Sequence, residues 1–184
     1  YLKEGLDCAT AGAALAGRTL TAARRRGKLL LLDTDEGDGP VLGLRFGMTG
    51  RLVVDHAAAL DDLIYGSNRD EPAWDRFALD FAGGGHLRMR DPRRLGGVSL
   101  DPDEEVLGPD ALTLTLRQLR DSLGASTAPL KARLMDQRRV AGLGNLLNRS
   151  LYGGTLFTSF AFNWVVNWWA LDGLSRGQAV DPTI

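Results

Sequence analysis

Two hydrophobic periods divide the chain. Up to about residue 101, apolar positions alternate with polar ones or run together for a few residues, as strands do. Ala9 to Ala16, rich in Ala, Gly and Leu, predicts a short helix ahead of them. Arg18 to Arg26 alternates loosely and runs into Lys28-Leu29-Leu30-Leu31-Leu32, a buried-strand pattern. Asp33 to Pro40 (DTDEGDGP) is a turn by composition. Val41 to Phe46 predicts a second strand, Gly47-Met48-Thr49-Gly50 breaks it, and Arg51 to Asp55 resumes it. Residues 56–75 read as loop with one helical turn. Phe77 to Phe81 and His86 to Arg90 alternate around Gly83-Gly84-Gly85, a hairpin signal, and Gly96 to Leu100 is a further short strand.

Beyond an acidic, Pro- and Gly-punctuated connector, Asp101 to Asp110 (DPDEEVLGPD), the period becomes helical. Leu112, Leu116, Leu119 and Leu123 lie at helical spacing in a segment closed by Gly124. Pro129 fits the start of a second helix carrying Leu130, Leu134 and Met135. Arg138 to Gly144 (RRVAGLG) is a turn, and Asn145 to Tyr152 predicts a third helix with Asn145 at or near its N-cap. From Ser150 to Leu171 there is no charged residue, and Phe157, Ala161, Trp164, Trp168 and Leu171 form one helical stripe. Gly153, Gly154, Asn163 and Asn167 make this stretch too polar for a membrane span, so a core or partner-facing helix is the expectation.

Composition narrows the class. The chain has 184 residues, 44% apolar and 24% charged, which excludes disorder of the whole and allows a core without staples. Cys8 is the single cysteine, which excludes an intramolecular disulfide framework and a multi-cysteine zinc site within these residues. The formal net charge is −1, so any anion binding must come from local clustering. Three basic blocks supply it. Residues 18–28 hold Arg18, Arg24, Arg25, Arg26 and Lys28 with no acid; residues 88–94 (RMRDPRR) hold Arg88, Arg90, Arg93 and Arg94 against Asp91. Residues 131–149 hold Lys131, Arg133, Arg138, Arg139 and Arg149 against Asp136. Such blocks can track a phosphate backbone, although on charge alone three solvated faces are the better reading. The opening residues lack the basic and apolar regions of a secretory signal, so a cytoplasmic location is expected.

The residues inside the blocks change that balance. Four stretches are similar to one family, the formamidopyrimidine-DNA glycosylases and their endonuclease VIII relatives. Arg25-Arg26-Gly27-Lys28-Leu29-Leu30-Leu31-Leu32 resembles the family's RRGKYLLL strand. Leu44-Arg45-Phe46-Gly47-Met48-Thr49-Gly50 resembles its HLGMSG, and Arg90-Asp91-Pro92-Arg93-Arg94-Leu95-Gly96 its DPRRFG. Pro129 to Asn145 (PLKARLMDQRRVAGLGN) resembles the helix–two-turn–helix signature, with Leu107-Gly108-Pro109-Asp110 ahead of it like LGPEPL. Order and spacing agree from about residue 18 to residue 152. The fold expected is α+β: a β-sandwich-like unit over residues 1–101, then a helical unit over residues 102–184. The second carries the helix–two-turn–helix at 129–152 and an unassigned aromatic tail at 153–184.

The chemistry of these residues suits a protein that works on a base inside a duplex, which must extrude the base and stabilise the gap. Unbranched Met48 on a Gly-flanked turn can slide into a base stack, and the resemblance implies that it fills the space of the flipped base. Arg93, with Arg94 beside it, is a planar multi-donor suited to the orphaned partner base. Leu95 stands where the family has a phenylalanine wedge. Gly142 and Gly144 allow close backbone approach, and Asn145 at a helix start offers an amide beside free N–H groups. The resemblance implies that Lys28, Lys131 and Asn145 contact phosphates flanking the lesion. An isolated Met or Leu is more often core filler; the shared motif context reverses that. Lys28, Met48, Arg93, Lys131 and Asn145 are expected to converge along one cationic cleft.

Two parts of the family pattern have no match. The family uses an N-terminal proline amine as nucleophile with a glutamate beside it, whereas this sequence opens YLKEGLDC, and Glu4 is not the equivalent. The family's zinc finger has no counterpart, so no metal and no cofactor are expected. The resemblance implies a base-excision-repair glycosylase and AP lyase acting on 8-oxoguanine and formamidopyrimidines. This chain, with no catalytic residue assigned, is expected to bind damaged double-stranded DNA as a monomer but turn over poorly. The alternatives are a truncated paralogue that binds DNA without cutting it, or a remodelled scaffold whose aromatic tail docks a protein partner.

Overall fold

A computed structural model of the chain describes residues 1–3, 5–55, 57–58, 69, 71–124, 127–144 and 178–179. These fall into two compact units: 1–24, 29–102 and 178–179 in the first, 25–28 and 103–144 in the second.

The first unit opens with helix α1 (Cys8–Leu15). The Asp7 carboxylate caps it by accepting from the Thr10 N–H at 2.7 Å. Nine strands follow among the described residues: β1 (Thr19–Arg26), β2 (Leu29–Thr34), β3 (Leu42–Arg45), β4 (Arg51–Val54), β5 (Ala57–Ala58), β6 (Asp75–Asp80), β7 (His86–Arg90), β8 (Gly97–Leu100) and β9 (Gln178–Ala179). They make a five-stranded sheet in the order β8-β3-β2-β1-β9 and a four-stranded sheet in the order β5-β4-β7-β6. Short 3-10 turns stand at Asp35–Gly37 and Pro72–Trp74.

The sequence pattern accounts for the strands. β2 lies in the middle of its sheet, and all four of its leucines, Leu29 to Leu32, are buried; a strand covered on both faces reads as a continuous apolar run. Alternate residues of the other strands build one core. Leu30, Leu32, Leu42, Leu44 and Val98 from the first sheet meet Leu52, Leu79, Leu87 and Met89 from the second, and Leu15 of α1 joins them. Register keeps these side chains on one face: Leu52 lies opposite Met89, and Val54 and Leu79 both lie opposite Leu87. The intervening residues Arg88 and Arg90 take the other face of β7.

The second unit contains α2 (Leu116–Leu123) and α3 (Leu130–Met135). Thr115 and Gln118 form a reciprocal capping box at the start of α2. That box starts the helix after Leu112, so the leucine period begins earlier than the helix does. No residue of α2 is buried, and Leu116 is exposed, which the pattern alone did not anticipate. At the other end of α2, the Ser122 carbonyl accepts from Arg133 at 2.9 Å and Arg139 at 3.0 Å. Val140, Ala141 and Leu143 are buried in the turn after α3.

The reading of residues 102–184 as one unit differs at both ends. Pro102 belongs with the first unit, where its ring packs over Gly43. Gln178–Ala179 pairs antiparallel with Leu20 and Thr19 at the open edge of β1. A two-residue backbone pairing leaves no hydrophobic period to read. The predicted third helix, Asn145 to Tyr152, and the aromatic stripe from Phe157 to Leu171 lie outside the described residues, as does the helical half of the two-turn motif that Asn145 would start. Among the described residues no helix is long and apolar enough to cross a membrane.

Leu87 has no exposed surface and belongs to the core cluster that residues of both sheets build. Leu87→Ala is expected to lower the unfolding free energy by about 2–5 kcal/mol, read from urea denaturation followed by circular dichroism.

Candidate nucleic-acid interface

Strand pairing brings two loops of the first unit together. β3 pairs with β8 in one sheet, and β4 pairs with β7 in the other. The β3–β4 loop, residues 46–50, therefore crosses between the sheets beside the β7–β8 loop, residues 91–96, which crosses the opposite way. Their ends are in register: Arg45 lies opposite Gly97, and Arg51 opposite Arg90. Gly47 has φ +62°, and a Cβ there would stand 2.7 Å from the Leu95 carbonyl carbon, so only glycine permits this turn and this approach. Gly96 in turn packs on the Arg45 carbonyl oxygen.

Asp91 ties the loops. It is fully buried, and its carboxylate accepts from the Thr49 hydroxyl at 2.6 Å, the Gly96 N–H at 2.8 Å and the Tyr1 hydroxyl at 3.3 Å. Its N–H donates to the Trp74 carbonyl at 2.9 Å, and its carbonyl accepts from Arg76 at 3.0 Å. Burial, then the charge of Asp91 and the hydrogen bond to it, push the Tyr1 phenol well above its ordinary pKa, so it stays a neutral donor. The tips project from this buried anchor: Met48 is 58% exposed and Leu95 54%. Arg93 and Arg94 are exposed beside Leu95, and Arg94 adopts φ +55°.

In the second unit the segment Arg25–Lys28 is held by Asp110. One carboxylate oxygen accepts from Arg25 at 2.8 Å and the other from the Gly27 N–H at 2.8 Å. A Cβ on Gly27 would meet Ala141 at 2.8 Å, so glycine is required for the close approach. Burial of the Asp110 carboxyl would raise its pKa. The hydrogen bond from Arg25, those from the N–H groups of Leu112 and Gly27, and the charge of Arg25 outweigh that and hold it below the usual carboxylate value. Gln137 braces the turn behind: its amide donates to the Met135 and Leu143 carbonyls at 2.8 and 2.9 Å and accepts from the Gly142 N–H at 3.0 Å.

Lys28 emerges from this platform. Its Nζ lies 3.3 Å from where a Gly144 Cβ would stand, so the glycine leaves the lysine its place. Partial desolvation lowers the Lys28 pKa, and among the described residues no carboxylate pairs with it. A desolvated, unpaired ammonium gains on meeting an anion. Lys131 is exposed in the first turn of α3.

The basic blocks divide on inspection. Arg18 pairs with Asp35, Arg24 with Asp33, Arg25 with Asp110, Arg88 with Asp80 and Arg90 with Asp75. Arg133 is buried against the end of α2. Those arginines are engaged within the protein, so only part of each block is open to a phosphate backbone. Arg93 and Arg94 are exposed and form no ion pair among the described residues, and the same holds for Arg45 at the end of β3.

Of the predicted site residues, the structure brings Met48, Arg93, Arg94 and Leu95 together in the first unit, and Lys28 and Gly144 together in the second. Lys131 lies in the second unit, on α3. Asn145 lies outside the described residues, as does Arg149. Sequence reasoning gave no role to Thr49, Asp91, Asp110, Gln137 or Arg45, although all five stand inside the quoted motifs. Their motif membership was the one available signal. Cys8 is exposed on α1, and no group of three or more His, Cys, Asp or Glu able to hold a metal occurs among the described residues.

Two outcomes follow from this geometry. Gly47→Ala forces the loops apart and is expected to lower the melting temperature, whereas Gly83→Ala, where no atom lies within 4 Å of the added Cβ, is expected to change it little. Asp110 has a folded pKa below its unfolded value, so its stabilisation is present above the unfolded pKa, about 4, and is lost as pH falls through the folded value. Asp110→Asn is expected to lower stability at pH 7 and to flatten the loss of stability below about pH 4, measured by urea denaturation across pH.

Comparison with known proteins places the chain in a family. Residues 2–98 match the formamidopyrimidine-DNA glycosylase N-terminal domain. The formamidopyrimidine-DNA glycosylase of Rhizorhabdus wittichii is 37% identical over 142 residues, covering 72% of this chain and 47% of the relative. That of Chloroflexus aggregans is 36% identical over 162 residues, covering 78% of this chain and 54% of the relative. The chain thus spans about half the length of the curated relatives it matches. The fold is similar to that of the Lactococcus lactis glycosylase in its complex with abasic-site DNA, with a TM-score of 0.55 at 24% identity over 87% of this chain and 62% of that one. On the match of residues 2–98 and the identity to these relatives, the chain belongs to the formamidopyrimidine-DNA glycosylase family.

Proposed function

We propose that this chain binds damaged duplex DNA, as part of a base-excision-repair glycosylase and AP lyase for oxidised purines such as 8-oxoguanine and formamidopyrimidines. The observation that carries the reading is the pair of exposed apolar tips, Met48 and Leu95, on loops anchored by one buried carboxylate and flanked by Arg45, Arg93 and Arg94, which form no ion pair among the described residues. Extruding a base leaves a stack with a gap, and an unbranched thioether fills such a gap with little demand on its shape. Leu95 wedges the neighbouring step, and the Arg93 fork hydrogen-bonds the base left without a partner.

Lys28, Lys131 and Asn145 take phosphates on this reading. The desolvated Lys28 ammonium gains most from an anion, since no carboxylate among the described residues already pairs with it. The chain works as a monomer in the cytoplasm without a bound cofactor. Met48, Arg93 and Leu95 select the lesion, while the lysines supply affinity that does not depend on sequence.

Titration of a fluorescent duplex containing an abasic-site analogue tests the reading. Log affinity is expected to fall against log salt with a slope of about −3, as for three or four neutralised phosphates. Lys28→Ala with Asn145→Ala is expected to weaken binding about tenfold or more and to make the slope shallower. A flat salt response, or no loss in the double variant, would contradict the proposal.

A further inference from the structure

We infer that Asp91 is a positioning residue that locks the Met48 turn to the Arg93–Leu95 loop, so that the two apolar tips enter a duplex as one preformed unit. The inference rests on the DNA-binding reading above and extends it to a residue that touches no DNA. Its basis is geometric. Met48 and Leu95 belong to different connections, 47 positions apart in the chain by their residue numbers, and each turn alone can pivot about its strand ends. The buried carboxylate removes that freedom. One oxygen holds the Thr49 hydroxyl, next to Met48, and the other holds the Gly96 N–H, next to Leu95.

Three further contacts fix the anchor itself. Tyr1 donates to the carboxylate, Arg76 to the Asp91 carbonyl, and the Asp91 N–H donates to Trp74. The anchor, at the first position of the β7–β8 loop, is therefore tied to residues outside both loops. A buried carboxylate accepting several hydrogen bonds is rigid, because withdrawing any donor leaves part of its charge unsolvated. Gly47 and Gly96 bring the backbones within contact on the same side. An intercalating pair must match the rise between stacked bases, so a change in their separation would be felt at once.

A plain stabilising role would give the same hydrogen bonds, so the test reads coupling between the tips. The probe is a duplex holding a tetrahydrofuran abasic analogue with 2-aminopurine beside it, compared with the intact duplex. Thr49→Val removes one donor while keeping shape, and Asp91→Asn changes the acceptor. Both are expected to reduce the preference for the abasic duplex about tenfold and to diminish the 2-aminopurine signal of unstacking. Thr49→Ser, which keeps the hydroxyl, is expected to restore both. Met48→Ala and Leu95→Ala are expected to be non-additive in the parent chain and additive in the Thr49→Val background. Should Asp91→Asn fail to fold by circular dichroism, the Thr49 variants decide alone.

A folded Thr49→Val chain that keeps its preference, its signal and the coupling overturns the inference while leaving DNA binding standing. A parent chain with no preference for the abasic duplex overturns the binding reading, and the inference falls with it.

Discussion

The antiparallel pairing of β3 with β8 and of β4 with β7 is the constraint on which the candidate site depends. Because the same four strands pair in two different sheets, the two connections between the sheets must run side by side. Nothing in either loop alone would bring residue 48 near residue 95. The hydrophobic core enforces the pairing: Leu44 and Val98 from one sheet and Leu52 and Met89 from the other are all buried in a single cluster. A slip of one residue in any of these strands would turn that set outward and carry the loops out of register. Burial in the core and placement of the exposed tips are thus one requirement on the sequence.

Much of this was legible in the chain. The run Leu29 to Leu32 announced a strand covered on both faces, and alternation around Gly83 to Gly85 announced the β6–β7 hairpin, because both are local consequences of side-chain direction. Capping chemistry at Thr115, although equally local, went unread, and it starts α2 later than its leucine period. Exposure of Met48 and Leu95 was legible through motif context alone. An isolated apolar residue gives no sign of which way it will face.

What escaped the sequence was long-range. Thr49 and Asp91 are 42 positions apart, and Gly27 and Asp110 are 83 apart; nothing local marks either pair. The pairing of the arginines was hidden for the same reason. Arg24 meets Asp33 and Arg90 meets Asp75 across strands, so runs that look cationic in text are largely neutralised in space. After that cancellation, Arg45, Arg93 and Arg94 beside the exposed tips, and Lys28 on its own platform, form no ion pair among the described residues. Burial and pairing separate structural arginines from those available to an anion, which a count of basic residues cannot do.

The most direct measurement is hydrogen–deuterium exchange of the chain with and without a duplex carrying an abasic-site analogue. The account predicts that residues 46–50 and 91–96 gain protection together in the complex, along with the segment around Lys28. Binding that leaves both loops exchanging as in the free chain would contradict it.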